Sequence, residues 1–432
     1  MSVKEMLKKI PIVHRCGVAL KDAYKDGKAI SVLKQERRIP RTGPVRVGFF
    51  CQYLPGWTKV KTVYEQMKAD PRFEPYLLCV PSGIEKGALR DPDCLENDTY
   101  EYFRGQGYDE AINLLTGRDT WLELQTLGLS YVFYPRPYNP LMPRCYQTDL
   151  VARYCRVCII MYGMATTEQI TNILLNKGFM RYTYFYFAET VFSQRINMAK
   201  NPRGHKAGLQ KTLSIGYPVL EQLARMKGVE SPSWSFSKNG FRVIWAPRWT
   251  TSKEEGGSNF FTYKDAFLEY AQSHPDMDFL FRPHPLMFDN FVKTGEMTPA
   301  QVAEFKAACD GLPNVKLDDQ PQYEATFWGS DVLVSDISAM IPEYFTTGKP
   351  IAFCATNMEL KLAQFSEEMI GKGCYTVNSR QELFACLEAL QRGEDPLAQK
   401  RKELIPELFG AAGEGASKRI LEAIAQDAAE NQ

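Results

Sequence analysis

Asp278-Phe-Leu-Phe-Arg282-Pro-His284-Pro285 and Val332-Leu-Val-Ser335-Asp336-Ile-Ser338-Ala-Met-Ile-Pro-Glu343-Tyr344 are the two stretches from which the fold is read. Each begins with a short apolar run that does not alternate, the pattern of a strand buried on both faces in a parallel sheet. Each then turns polar at once, and the second passes into a helix. Arg282, His284, Ser335, Asp336 and Ser338 are therefore expected at the carboxyl ends of neighbouring parallel strands, where open α/β sheets bind ligands. A nucleoside-diphosphate site is the first reading.

The pattern extends outward in both directions. Strands are expected at Val45–Cys51, Tyr76–Val80, Tyr131–Tyr134, Val157–Met161, Tyr182–Phe187 and Leu213–Ile215, with helices over 58–69, 108–116 and 147–154. A second alternation starts at Arg242–Ala246 and continues through Val315–Leu317, Ile351–Phe353 and Tyr375–Val377. Its helices are expected over 259–272, 299–309, 338–347 and 380–392. Two successive βαβ series of similar size predict an α/β protein of two Rossmann-like, doubly wound domains facing a central cleft. The expected division is a basic helical arm at 1–43, a first domain at 44–232, a second at 233–410 and a C-terminal helix at 411–432. The boundary falls in the Gly/Ser/Pro-rich segment Lys227–Asn239.

Composition narrows the function. At 432 residues with 44% apolar residues, the chain can bury two cores. A net charge of +1 argues against a nucleic-acid binder. No stretch is apolar and long enough to span a membrane, and the N-terminus lacks a signal-peptide core. Eleven cysteines, an odd number, fit a reduced cytoplasmic chain. Cys155 and Cys158 have metal-like spacing, but their apolar neighbours place them in a strand. Residues 1–46 hold 12 Lys/Arg against 4 Asp/Glu, a local excess of +8. That basic arm, residues 1–40, is expected to contact the inner membrane surface peripherally; a solvated arm or a subunit contact is the alternative.

Several groups suit a phosphate site. Arg282 offers permanent charge and His284 a hydrogen-bond donor on a proline-stiffened backbone. Ser335, Asp336 and Ser338 occupy a strand-to-helix turn; ordinary helix capping is the plainer reading of that turn. Glu343 is a candidate for ribose hydroxyls. Trp245-Ala-Pro-Arg248-Trp249-Thr250 ends another strand, so Arg248 and Thr250 should face the same cleft, with Trp249 against a base or wall. Gly216 in Ile215-Gly-Tyr-Pro218 allows close backbone approach. In the first domain, Met161-Tyr162-Gly-Met-Ala-Thr-Thr167 is the turn at which an acceptor hydroxyl would be activated. His205 is expected in an exposed loop.

From Gly216 to Cys354 these segments resemble the CDP-glycerol glycerophosphotransferase family, the teichoic acid primases and polymerases. The resemblance rests on Gly216–Pro218, the Ala-Pro-x-Trp segment within Trp245–Thr250, Arg282–Pro285, the Ser-Asp-x-Ser turn Ser335–Ser338, Glu343-Tyr344 and Pro350–Phe353. It implies a GT-B arrangement, a CDP-linked donor, a polyol or glycan acceptor that can be lipid-linked, and release of CMP. On that mechanism His284 is the candidate to protonate the leaving group. The family has Trp-His-Gly-Thr in the first domain, with the His as base; here Tyr162 holds that position, and Glu168 or Glu189 are substitutes. A sugar-nucleotide glycosyltransferase and a catalytically silent nucleotide-binding subunit are the other two readings. No cofactor is assigned, and a divalent cation stays open.

Overall fold

The computed structural model describes residues 11–35, 39, 42–52, 54–237, 240–320, 322–355, 359–411 and 413–431. The first ten residues of the basic arm lie outside the described residues, as do 36–38, 40 and 41. Helix α1, Pro11–Leu33, carries the rest of the arm.

The first sheet has seven strands: β1 Val45–Cys51, β2 Phe73–Cys79, β3 Ala111–Asn113, β4 Tyr131–Tyr134, β5 Arg156–Ile160, β6 Phe185–Phe187 and β7 Lys211–Leu213. They lie in the order β7-β6-β5-β4-β1-β2-β3, and all pairs are parallel. The second sheet has six: β8 Phe241–Ala246, β9 Met277–Phe281, β10 Val315–Leu317, β11 Val332–Ser335, β12 Ile351–Cys354 and β13 Tyr375–Val377. Their order is β10-β9-β8-β11-β12-β13, again all parallel. In each sheet the order reverses beside the first strand, between β1 and β4 and between β8 and β11. Those reversals open a crevice at the strand carboxyl ends.

The apolar runs form strands because helices cover both sheet faces. Val47, Tyr131, Cys158 and Val157 in the first sheet, and Val243, Val332, Val334 and Ala352 in the second, are fully buried. Trp245 in β8 stacks on Phe267 of a covering helix at 4.2 Å between ring centroids. Burying a side chain of this class contributes about 1.5–3 kcal/mol. Cys155 and Cys158 are buried among these apolar groups. Among the described residues no group of three or more His, Cys, Asp or Glu is arranged to hold a metal ion, and no helix is long and apolar enough to cross a membrane.

The helix expected over 108–116 is replaced by two strands. Ala111–Asn113 extends the sheet edge, with Ala111 in register with Leu77, and Leu115–Gly117 pairs with Thr120–Trp121 in a hairpin. The edge of β2 offers unpaired backbone groups to any extended neighbour, and that tertiary pairing outweighs local helix preference.

Helices α2, Lys61–Ala69, α3, Phe260–Ser273, α4, Met340–Phe345, and α5, Ala416–Glu430, position the cleft. The chain returns to the first sheet through α5. Ser417 of α5 donates to Thr62 of α2 at 2.9 Å, and its backbone N–H donates to Glu221 at 2.8 Å. Near the other end of α5, buried Asp427 accepts hydrogen bonds from Tyr131, Tyr184 and Lys211, each at 2.6 Å.

Candidate nucleotide and acceptor site

The loops after β8, β9 and β11 meet at the second switch point. Ser335, the last residue of β11, donates its hydroxyl to the Ala246 carbonyl at the end of β8, 2.9 Å away. Asp336 follows, fully inside the protein. Its Oδ2 accepts the backbone N–H of Arg248 at 2.8 Å and that of Asn259 at 3.2 Å, and its Oδ1 accepts the Asn259 side chain at 2.7 Å. Burial pushes its pKa up to about 6 although these bonds favour the charged form. Asp336 thus holds the turn together from within. Ser338 stays half-buried, 3.3 Å from the Ser335 hydroxyl.

The same knot aims Arg248. Its Nη1 donates to the Ile337 carbonyl at 2.7 Å, and burial lowers its pKa. A β-carbon on Gly256 would stand 2.5 Å from the Arg248 Nε, and φ there is +112°, so only glycine fits beside this guanidinium. Thr250 is buried and serves its own turn, accepting the Ser252 N–H at 3.2 Å. Trp249 stands beside His284, with 6.4 Å between ring centroids.

His284 is exposed, and its Nδ1 accepts the Leu286 N–H at 3.2 Å. That bond puts the proton of a neutral ring on Nε2. Desolvation first, and then the Arg248 charge, hold its pKa below the usual histidine value. Arg282, by contrast, is tied down: it pairs with Asp318, donates to the Gln320 carbonyl at 2.6 Å and lies 5.4 Å over the Tyr323 ring.

A second group gathers around Glu343 of α4, which is 4% exposed. The Tyr323 hydroxyl donates to its Oε2. Lys59, from the turn after β1 in the first sheet, donates to the Tyr323 hydroxyl at 3.2 Å and lies 3.8 Å from Glu343 Oε1. Lys59, Tyr323 and Asn259 were not singled out in the sequence. Their partners are hundreds of residues away or in another loop, and no local pattern marks them.

On the first-sheet side, Tyr162 is half-buried and its hydroxyl shares a 2.7 Å hydrogen bond with Tyr138. Gly216 takes φ +110°, a backbone suited to glycine, and swings Tyr217 inward. The Tyr217 hydroxyl donates to the Met161 carbonyl at 2.9 Å. Burial, then the charges of Glu343 and Glu189, raise its pKa well above the usual phenol value. Tyr217 therefore stands between the Tyr162 turn and Glu343. The same turn is stitched to the second domain: Thr167 bridges Leu362, and the Ala363 N–H donates to the Thr166 carbonyl at 3.1 Å.

The two acidic substitutes are both engaged. Glu168 is ion-paired with Lys361 at 2.5 Å. Glu189 is buried, accepts from Tyr186 and Ser193 at 2.6 Å each, and has a pKa raised by burial. His205 differs from its expected place in an exposed loop. It sits in the short helix Pro202–Lys206 with both ring nitrogens bonded, to the Asn201 carbonyl and to Thr212, at 2.8 Å each. The pairing with Thr212 of β7 draws the ring inward.

The profile of a family described as CDP-glycerol:poly(glycerophosphate) glycerophosphotransferase matches residues 165–426, more than half of the chain. No curated protein sequence matches significantly. Among solved structures, the wall teichoic acid polymerase TagF in a CDPG-soaked form is 14% identical, with 99% of each chain covered and a TM-score of 0.53. The UDP-GlcNAc 2-epimerase of Neisseria meningitidis bound to UDP-GlcNAc is 14% identical, covering 89% of this chain and 100% of its own, with a TM-score of 0.57. The UDP-GlcNAc 2-epimerase of Methanocaldococcus jannaschii is 10% identical, covering 88% and 100%, also at 0.57. At these identities the structures establish a shared GT-B-like fold.

Proposed function

Because this chain belongs to the CDP-glycerol:poly(glycerophosphate) glycerophosphotransferase family, we propose that it moves a polyol phosphate, glycerol phosphate or a close relative, from a CDP-linked donor to an acceptor hydroxyl and releases CMP. The observation that carries the reading is the grouping of His284, Arg248 and Trp249 at the second switch point, with Ser335 and Ser338 beside them.

In this reading the diphosphate lies over the switch-point turn, near the Arg248 guanidinium, and Glu343 receives the ribose. Gly216 gives the backbone room to approach, and Thr250 and Asp336 hold the loops that present Arg248. Arg282, neutralised by Asp318, fixes the Tyr323 ring beside Glu343. The acceptor oxygen attacks the phosphorus bearing the polyol, in line with the departing CMP oxygen. A phosphate leaving group with a second pKa of about 6 carries its charge without a strong acid. An Nε2–H from His284 is then enough to steady it, with full proton transfer once the diphosphate charge has raised the ring's pKa. Tyr162, with Tyr138 behind it, would bind and orient the acceptor hydroxyl.

We further propose a polyol or glycan acceptor that can be lipid-linked, reached at the inner membrane surface through the basic arm. The face of α1 turned to solvent supports this. Leu20 and Tyr24 are 73% and 75% exposed there, beside the exposed Lys21, Lys25 and Lys28. Asp22 and Asp26 turn inward, and Asp22 bonds Lys177 and Arg181 at 2.6 Å each.

The test is CMP release from CDP-glycerol in the presence of candidate acceptors, beside a binding panel of CDP, UDP and GDP. Selective binding of cytidine nucleotides with CMP formation supports the reading. Preference for UDP or GDP and a glycosidic product would move the protein to sugar transfer.

A further inference from the structure

Lys59 belongs to the first domain, yet its amine is spent on the second. It donates to Tyr323 at 3.2 Å and lies 3.8 Å from Oε1 of Glu343, with side chains only 18% and 5% exposed. The Tyr323 hydroxyl already donates to the other oxygen, Oε2. Oε1 therefore has a cation nearby but, among the described residues, no donor at hydrogen-bond distance. A carboxylate can accept about four hydrogen bonds, and Oε1 is not among the fully enclosed orphaned atoms, so its acceptor capacity is open to a ligand's hydroxyls. An ammonium at 3.8 Å lies beyond hydrogen-bond distance of Oε1, so it compensates that charge with no direct bond for a ligand to break. A vicinal diol would supply the donors that Oε1 lacks.

We propose that Lys59 is a positioning residue that holds the ribose place at Glu343 in the free protein and yields it to the ribose diol when donor binds. The proposal rests on Glu343 being the ribose carboxylate, as read above. Its consequence is a link between donor binding and domain contact. Lys59 crosses the cleft only while Glu343 is unoccupied, so the diol breaks one of the ties between the domains. The stitch from Thr166–Glu168 to Lys361–Ala363 remains, as does the hydrogen bond from the Trp328 indole to the Leu223 carbonyl at 2.7 Å. Tyr323 carries the change toward the phosphate side, because its ring also lies under Arg282.

The experiment is calorimetric titration of the full chain and its Lys59→Met variant with CDP, UDP and 2′,3′-dideoxy-CDP. Removing the competitor should tighten CDP about two- to fivefold, the range expected for losing a single weak ion pair. Dideoxy-CDP, which cannot compete for Glu343, should gain nothing, and Lys59→Arg should restore wild-type affinity. Lys59→Gln repeats the test should the Met variant fold poorly. Equal or weaker CDP binding by the Met and Gln variants overturns the Lys59 proposal and leaves the cytidine reading standing. A gain seen with UDP and not CDP removes the cytidine reading and keeps the Lys59 exchange. Absence of nucleotide binding by every form overturns both.

Discussion

Asp336 accepts the backbone N–H of Arg248 at 2.8 Å, tying the loop after β11 to the loop after β8 across the reversal in strand order. The bond is one of several that converge on a fully buried carboxyl whose pKa stands at about 6. The folded value lies above the unfolded value of about 3.9, so from pH 4 to 6 the folded protein keeps a proton that the unfolded chain has lost. Stability from this group is greatest at the acid end and declines as pH rises toward 6. About two pKa units correspond to about 2–3 kcal/mol. Urea denaturation of wild type and Asp336→Asn at pH 4.5 and 6.5 should show the larger decline in wild type. Parallel declines would mean that Asp336 is already ionised at the lower pH.

Among the described residues the His284 ring makes no hydrogen bond beyond the one it accepts from Leu286, and the bond its carbonyl accepts from Met287 does not depend on the side chain. Its replacement by alanine should leave the thermal transition within a degree or two of wild type while cutting CMP release by about 10²–10⁴-fold, the usual weight of one positioned proton donor. Glutamine, which keeps an N–H, should recover part of that loss. Full activity in the alanine variant would remove His284 from the site.

What the sequence disclosed and what it hid follow from one physical distinction. The runs Val332–Val334 and Phe279–Phe281 are legible because the middle of a strand buried on both faces is apolar without alternation, while the polar Ser335 and Asp278 in the same strands are tolerated only because each is hydrogen-bonded. From their ends the switch-point turns could be placed. Ala111–Asn113 misled because the edge pairing that makes it a strand is supplied by β2, thirty-odd residues away. At the site, sequence could show which residues sit at strand ends but not which way they face. Asp336 turns inward, Arg282 is claimed by Asp318, and Lys59 reaches across from the other domain. Side-chain partnership between distant loops leaves no periodic trace.

Asp427 is the point at which α5 is fastened to the first sheet. It is 1% exposed, receives Tyr131, Tyr184 and Lys211 at 2.6 Å, and has Arg156 at 3.6 Å. Replacing it with alanine removes the buried carboxylate that faces Arg156 and binds Lys211, for which Glu430 at 3.8 Å is a weaker second anion, and breaking a buried pair typically costs about 3–5 kcal/mol. Asp427→Ala should lower the denaturant midpoint accordingly and make α5 susceptible to limited proteolysis. Asp427→Asn, which keeps one acceptor oxygen, should lose less. An unchanged midpoint in the alanine variant would show that α5 is held by its apolar face alone.

The outward face of α1 offers the last test. Lys21, Lys25 and Lys28 are exposed beside Leu20 and Tyr24, and none of the three is needed to fasten the helix, which is pinned from its other side by Asp22 and Asp26. Each lysine near an anionic bilayer is worth about 1 kcal/mol. Changing all three to glutamine should therefore weaken binding to phosphatidylglycerol vesicles by about two orders of magnitude. Raising the salt should reproduce much of that loss in wild type, because the attraction acts within a Debye length. Replacing Leu20 and Tyr24 with serine should weaken binding at every salt concentration, since their contribution is burial of apolar surface. Activity on a water-soluble acceptor should be unchanged in either variant, while activity on an acceptor embedded in vesicles should fall with binding. Vesicle binding that survives both sets of changes would place the membrane contact elsewhere on the protein.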